Sequence, residues 1–152
     1  MKIILYRPQI PQNTGNIVRT CHATGSELVL VRPLGFKTDD KSLKRAGLDY
    51  WEGVSVTYTD DLIEYLKQET APFYFFSSRA TTNYSEINFP EECTLIFGSE
   101  VSGLPAKFYE RWSEHFLRIP MRKECRCLNL SNAVAIALYA ALKSQNFSQL
   151  IT

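Results

Sequence analysis

The apolar positions of this chain fall into short runs separated by polar and turn-forming residues, and the period of the runs changes along the sequence. Residues 2–7 hold a short apolar run that includes the β-branched Ile3 and Ile4, which predicts a strand broken by Pro8, Pro11 and Asn13. A helix follows, expected to start near Asn13 or Thr14, both good capping types, and to stop at Gly25. Residues 27–31 predict a second strand, closed by Pro33. Asp39 and Asp40 can cap a short helix over residues 41–46, ended by Gly47. Residues 54–58 alternate like a strand, and Asp60 is expected to open a helix with Leu62, Ile63 and Leu66 on one face. Residues 73–76 and 94–97 predict two more strands. Pro105 sits where a helix can begin, with Phe108, Tyr109 and Trp112 at helical spacing. Residues 116–119 predict a last strand, and residues 130–143 the longest helix.

Strands therefore alternate with helices, which predicts an α/β fold with a mostly parallel sheet flanked by helices. In such sheets ligands sit beyond the carboxyl ends of the strands, so the loops that follow strands are where chemistry is sought. The final helix adds a second signal. Leu130, Ala133, Val134, Ala137, Leu138, Ala141 and Leu142 form one apolar stripe, and Ile136, Tyr139 and Ala140 make the other side apolar too. A helix apolar all round is buried all round. Either it is a central core helix or a second subunit covers part of it.

With 152 residues the chain is expected to form one domain over residues 1–152. Apolar residues at 45% and charged residues at 22% exclude disordered, collagen-like and low-complexity classes. The first apolar run is too short for a signal-peptide core, and residues 133–142 fall well short of the ~20 needed to cross a bilayer. The expectation is a soluble cytoplasmic protein without a membrane partner. Four cysteines without a secretion signal do not argue for disulfides, and the Cys125-Arg126-Cys127 spacing is not that of a usual metal site, so no metal is expected. The net charge is only +1, but residues 1–45 carry a balance of +5, residues 46–92 of −7 and residues 93–152 of +3. Two basic ends around an acidic middle suit a positive face for phosphates, or are simply solvated.

Three stretches carry candidate chemistry. In Asn13-Thr14-Gly15-Asn16-Ile17-Val18-Arg19, the apolar Ile17 and Val18 should face the core with Cys21. Asn16 and Arg19 lie three apart on a polar face, an amide and a guanidinium suited to phosphate or ribose. The plainer account is a capped helix with a solvated arginine. In residues 95–105 a buried strand runs into a loop containing Gly98 and Gly103, with Glu100 just past the strand end. That spacing fits neither GxGxxG nor GK[ST], so it is either a structural turn or a carboxylate placed to accept a hydrogen bond or proton. In residues 119–133 a strand ends at Pro120, a basic loop follows, and Asn129-Leu130-Ser131-Asn132 opens the last helix. Ser131 and Asn132 can cap that helix, or the loop can wrap a ligand with main-chain groups.

Together these stretches resemble the SPOUT methyltransferases, the trefoil-knotted class that uses S-adenosylmethionine. The markers are NTGNIVR, LIFGSEVSGLP and IPMRKECRCLNLSNAVAIALY, in that order, over nearly the whole chain. The Ile10-Pro11-Gln12-Asn13 entry and Lys44-Arg45-Ala46-Gly47-Leu48-Asp49-Tyr50, in a chain without an added RNA-binding domain, look like the minimal subfamily. That subfamily methylates the ribose 2′-hydroxyl of the wobble cytidine or uridine in tRNA.

The resemblance implies a C-terminal trefoil knot, a cofactor held in it, and a homodimer packed through terminal helices. Phe76, Gly98, Ile119 and Cys127 match positions that hold the cofactor, with Met121 and Leu128 as apolar neighbours. Arg19 matches the arginine that activates the ribose hydroxyl. A guanidinium keeps its proton, so orienting phosphate and stabilising a developing alkoxide is the easier role. Glu100 is an alternative acceptor, and Asn129 matches a residue near the reaction centre. Asn13, Asn16, Arg19, Lys44 and Arg45 are the expected contacts to the anticodon stem-loop of tRNA. Relatives commonly carry serine where this chain has Cys127. The runner-up reading is an RNA-binding protein of the same fold without catalysis. A flavodoxin-like module is weaker, since no aspartate ends a central strand.

Overall fold

The computed structural model describes residues 1–39, 41 and 48–150. Seven strands run in it: β1 (Lys2–Tyr6), β2 (Glu27–Val31), β3 (Val56–Thr59), β4 (Phe73–Phe76), β5 (Thr82–Asn83), β6 (Thr94–Phe97) and β7 (Phe116–Arg118). They form one sheet in the order β3-β2-β1-β6-β4-β7-β5, with every pairing parallel. The helices are α1 (Pro11–Thr24), α2 (Leu62–Lys67), α3 (Ala106–Trp112) and α4 (Leu130–Ser144).

The side-chain period of two along each strand divides the core between two faces. Ile3 and Leu5 of β1, with Leu95 and Phe97 of β6, pack with Ile17, Val18 and Cys21 of α1 and Val134, Ala137 and Leu138 of α4. Ile4 and Tyr6, with Val29, Phe75 and Ile96, pack on the opposite face with Leu62 and Leu66 of α2 and Phe108 of α3. A central strand covered on both faces is apolar throughout, which is why β6 is buried at all four positions.

Several local expectations shift. Helix α1 begins two residues early, at Pro11, and its cap position is Ile10 without a side-chain bond. Proline suits a first helical turn because its missing N–H costs nothing there. Asn13 is thus inside the helix, and its amide is free for other partners. The αL cap at Gly25 (φ 64°) ends α1 as expected. Asp61, not Asp60, caps α2, accepting from the backbone N–H groups of Ile63 and Glu64. Asp60 instead pairs with Arg32, its Oδ1 2.9 Å from the guanidinium Nε. Asn129, not Ser131 or Asn132, caps α4, its Oδ1 2.9 Å from the Ser131 nitrogen. β3 is displaced to Val56–Thr59, and β7 ends one residue before Ile119. β5 has no counterpart in the pattern, because two residues carry no period; pairing of Thr82 with Leu117 and Asn83 with Arg118 makes it a strand. Apart from residue 41, the short helix expected over residues 41–46 lies outside the described residues, Lys44 and Arg45 included.

Helix α4 is not buried all round within one chain. Leu130, Val134, Ala137, Leu138, Ala141 and Leu142 are buried, while Ile136 and Tyr139 on the far side are 38% and 45% exposed. No helix of the described residues is long and apolar enough to cross a membrane.

Candidate active site

The carboxyl ends of β1, β4, β6 and β7 open into a cleft of about 340 Å³, within the range of small-molecule sites. It sits where the strand order reverses between β1 and β6, the place at which α/β sheets bind ligands. Phe76, Gly98, Ile119, Met121, Cys127 and Leu128 all line it, so the six residues expected to hold the cofactor converge on one site. Asn13, Glu100 and Asn129 line it too. Ser77 and Ser78, which sequence reasoning passed over, belong to the wall; the signal available was their place directly after β4.

Each wall has a local cause. The rings of Phe76 and Phe97 stack at 5.0 Å between centroids on adjacent strands, forming the apolar floor. After β6 the chain doubles back through an antiparallel bridge between Ser99 and Gly103, with Gly103 N donating to Ser99 O at 2.9 Å. Gly103 takes φ 65°, in the left-handed region that favours glycine. A Cβ at Gly98 would lie 2.7 Å from the Leu104 nitrogen and hard against the Gly103 carbonyl carbon, so only glycine lets the loop close. Ser77 is tied down twice, through its N–H to Leu117 O at 2.9 Å and through its hydroxyl to that of Tyr109.

The three motif stretches meet in a relay of hydrogen bonds. Glu100 accepts from the backbone N–H of Gln9 at 2.8 Å and of Ile10 at 3.2 Å, and from Asn13 Nδ2 at 3.1 Å. Asn13 Oδ1 accepts from Asn129 Nδ2 at 2.9 Å. Asn129 Oδ1 in turn accepts from Ser131 N and Oγ and from Asn132 N, capping α4. Asn13 is buried and therefore held in this network at low solvent competition. Glu100, expected as a proton acceptor, is thus engaged at both oxygens in anchoring the chain that leads into α1. Its geometry is that of a positioning residue.

Asn16 and Arg19 are exposed on α1 and do not line the cleft. Arg19 lies six residues past Asn13, roughly 9 Å along the helix axis and about a third of a turn round it. Its guanidinium carbon sits 5.1 Å from the Tyr50 ring centroid, and the His22 ring packs on the same tyrosine at 5.2 Å. Arg19 therefore turns away from the cleft of its own chain.

The lining fits a nucleoside with a charged appendage. Phe76, Phe97, Ile119, Met121, Leu128 and Leu130 make an apolar sleeve, with Asn13, Ser77, Ser78, Glu100 and Asn129 as its polar lining. Fold and site together define a parallel α/β protein with a nucleoside-sized cleft formed by three late loops. Residues 1–139 match the model of the SpoU rRNA Methylase family, and the chain belongs to that family. It is 40% identical over 149 residues to an Escherichia coli (strain K12) protein named tRNA (cytidine(34)-2′-O)-methyltransferase, covering 97% of this chain and 95% of that one. A solved structure described as giving insights into the 2-OH methylation of C/U34 on tRNA superposes with a TM-score of 0.89 at 40% identity, covering 96% of each chain. An AdoMet-bound rRNA methyltransferase from Sinorhizobium meliloti gives a TM-score of 0.82 at 25% identity, covering 93% of this chain and 55% of that one.

Proposed function

We propose that this chain, as one domain over residues 1–152, transfers a methyl group from S-adenosylmethionine to the ribose 2′-oxygen of the wobble cytidine or uridine of tRNA in the cytoplasm. The observation that carries the reading is the convergence of Asn13 from the first motif, the LIFGSEVSGLP loop and the loop before α4 on one apolar cleft, tied together by the Glu100–Asn13–Asn129 hydrogen bonds. The similarity to a named tRNA 2′-O-methyltransferase over almost its full length supports the substrate.

When bound, S-adenosylmethionine would supply an electrophilic methyl group on its sulfonium for the ribose 2′-oxygen. The protein's task is to bind, orient and exclude water. Phe76 and Phe97 offer the base an apolar floor, and Met121 and Leu128 close over it. The folded Gly98–Gly103 loop and the α4 cap hold the rim through the Glu100–Asn13–Asn129 relay. The C-terminal threading implied by the family belongs to the same reading.

Arg19 steers the substrate phosphate and stabilises the developing alkoxide. Because it faces away from its own cleft, it serves the cleft of a second subunit. The uncovered side of α4, with Ile136 and Tyr139, supports a homodimer of this kind. The test is radiolabelled methyl transfer to tRNA lacking the wobble modification, with the label mapped by mass spectrometry of nuclease digests. Label on the wobble ribose is expected; AdoMet binding without transfer to any tRNA would overturn the reading.

A further inference from the structure

A second groove, about 990 Å³, lies on the same edge of the sheet, over the ends of β1, β2 and β3. Its walls carry Arg7 just after β1, Arg32 just after β2, Lys37 beyond it, and Tyr58 from β3. Asp39 and Asp60 also face it. Asp60 is neutralised by Arg32, in a two-pronged pair at 2.9 and 3.0 Å. The same guanidinium lies 5.8 Å from the Tyr58 ring centroid, and that ring is 41% exposed. Among the described residues neither Arg7 nor Lys37 has an acidic partner.

The groove and the cofactor cleft share a wall. Arg7 lines one and Ile10 the other, so the partition between them is at most roughly 10 Å wide. It is pinned from both sides. Glu100 holds the Gln9 and Ile10 nitrogens from the cleft side. From the groove side, Gly35 N donates to Pro8 O at 2.9 Å. Gly35 also presses so close that a Cβ there would lie 2.7 Å from the Gln9 Cα. A strand of RNA presenting one nucleotide at the mouth of the cofactor cleft would therefore meet a fixed ledge and then this groove. Exposed cations beside an exposed aromatic ring are what single-stranded nucleic acid uses, phosphates on the former and a base on the latter.

We propose that the groove is a subsite for the single-stranded ribonucleotides flanking the methylated one, with Arg7 and Lys37 on phosphates and the Tyr58–Arg32 pair against a base. The proposal rests on the RNA methylation reading and extends it to residues outside the cofactor cleft. It gives the basic N-terminal third of the chain a specific task.

The experiment compares the full chain with Arg7→Gln, Lys37→Gln and Tyr58→Leu. The probe is an unmodified anticodon stem-loop RNA with cytidine at the wobble position, titrated over a salt series, with AdoMet affinity measured in parallel. Each charge removal is expected to weaken RNA binding several-fold and flatten the slope of log affinity against log salt by about 0.7. Tyr58→Leu should weaken binding roughly 5- to 100-fold with the slope unchanged. All three should raise KM for the RNA more than they change kcat, and none should alter AdoMet affinity. RNA affinity and salt slope equal to wild type in all three variants would overturn the proposal. Methyl transfer by the wild-type chain tests the activity separately, so the two failures are distinguishable.

Discussion

Asn129 donates from Nδ2 to the Oδ1 of Asn13 at 2.9 Å, joining the start of the last helix to the first helix across 116 residues of chain. The bond places both amides at the mouth of the cofactor cleft, and Glu100 extends it to the loop after β6.

Asn129→Ala removes this bond and the α4 cap together. A lost side-chain cap costs about 1 kcal/mol, and the stranded Asn13 acceptor adds to it. The expected result is a lower Tm and a weaker rise of Tm on adding AdoMet. Asn129→Asp keeps the capping oxygen but loses the donor to Asn13, so it should restore much of the basal Tm without restoring the AdoMet response. Thermal melts with and without AdoMet check both.

Arg19→Ala should lower methyl transfer by roughly 10²-fold while leaving AdoMet affinity unchanged, because its proposed contacts are to the phosphate and ribose oxygen of the RNA and not to the cofactor. Tyr50→Leu removes the ring beneath the guanidinium and should lower kcat in the same direction. Tyr50→Phe keeps that ring face and should keep the rate. Tyr50→Leu should add nothing in the Arg19→Ala background; an additional loss there would give the tyrosine a separate role.

The four thiols should separate into two classes. Cys21 and Cys93 are buried, and desolvation pushes their thiols up to about 12 and about 11. Cys125 and Cys127 are exposed, but only Cys127 lines the cleft. Iodoacetamide at pH 8 should label two sites quickly in native protein, and AdoMet should protect Cys127 but not Cys125. Peptide mapping of the labelled sites reads the result. Cys127→Ser should preserve AdoMet binding if main-chain groups at that position do the holding.

Below the sheet, Lys2 Nζ lies 2.6 Å from Glu69 Oε2, with Thr94 as a second donor to the same carboxyl. Burial alone would raise the Glu69 pKa; the Lys2 hydrogen bond and charge, with the Ala71 and Thr94 bonds, outweigh it and hold it below its ordinary 4.5. A depressed carboxyl contributes stability that is present above its ordinary value and is lost as pH falls through the lowered one. For Lys2, burial lowers the pKa and the Glu69 bond raises it, leaving it above 10.5; that contribution is present below 10.5 and lost as pH rises further. Wild type should therefore melt above Glu69→Gln at pH 7, and the gap should narrow as pH drops below 4.5. A gap that stays constant down to pH 3 would contradict this account.

Tyr139 and Ile136 stand uncovered on a helix whose other side is core. On the proposed dimer, wild type should sediment as a dimer and Tyr139→Glu combined with Ile136→Glu as a monomer with helical content intact; a wild-type chain that sediments as a monomer would contradict it. If Arg19 acts across subunits, methyl transfer should fall with dimer content.

Much of this protein was legible in its residue pattern. The alternation of apolar runs predicted a parallel sheet under helices, and the strand-end rule led to loops that do form the cleft. Both succeed because they are local: a run of Leu95, Ile96 and Phe97 is buried by any sheet that covers two faces, and the loop after it must emerge at the carboxyl edge. The family resemblance then sorted the loop residues, and Phe76, Gly98, Ile119, Met121, Cys127 and Leu128 all reach one cleft.

What tertiary structure alone decided is which polar groups find one another. Asn13, a natural cap by its type, is drawn inside α1 because Pro11 starts the helix and Glu100, 87 residues away, takes its amide. Asn129 outcompetes Ser131 and Asn132 for the α4 cap by the geometry of its approach. Arg19 leaves its own cleft because six residues of helix carry it onto another face, where Tyr50 receives it. Burial follows from composition and period along the chain, whereas a hydrogen bond forms with whichever partner arrives within about 3 Å, and that is set only once the whole chain has folded.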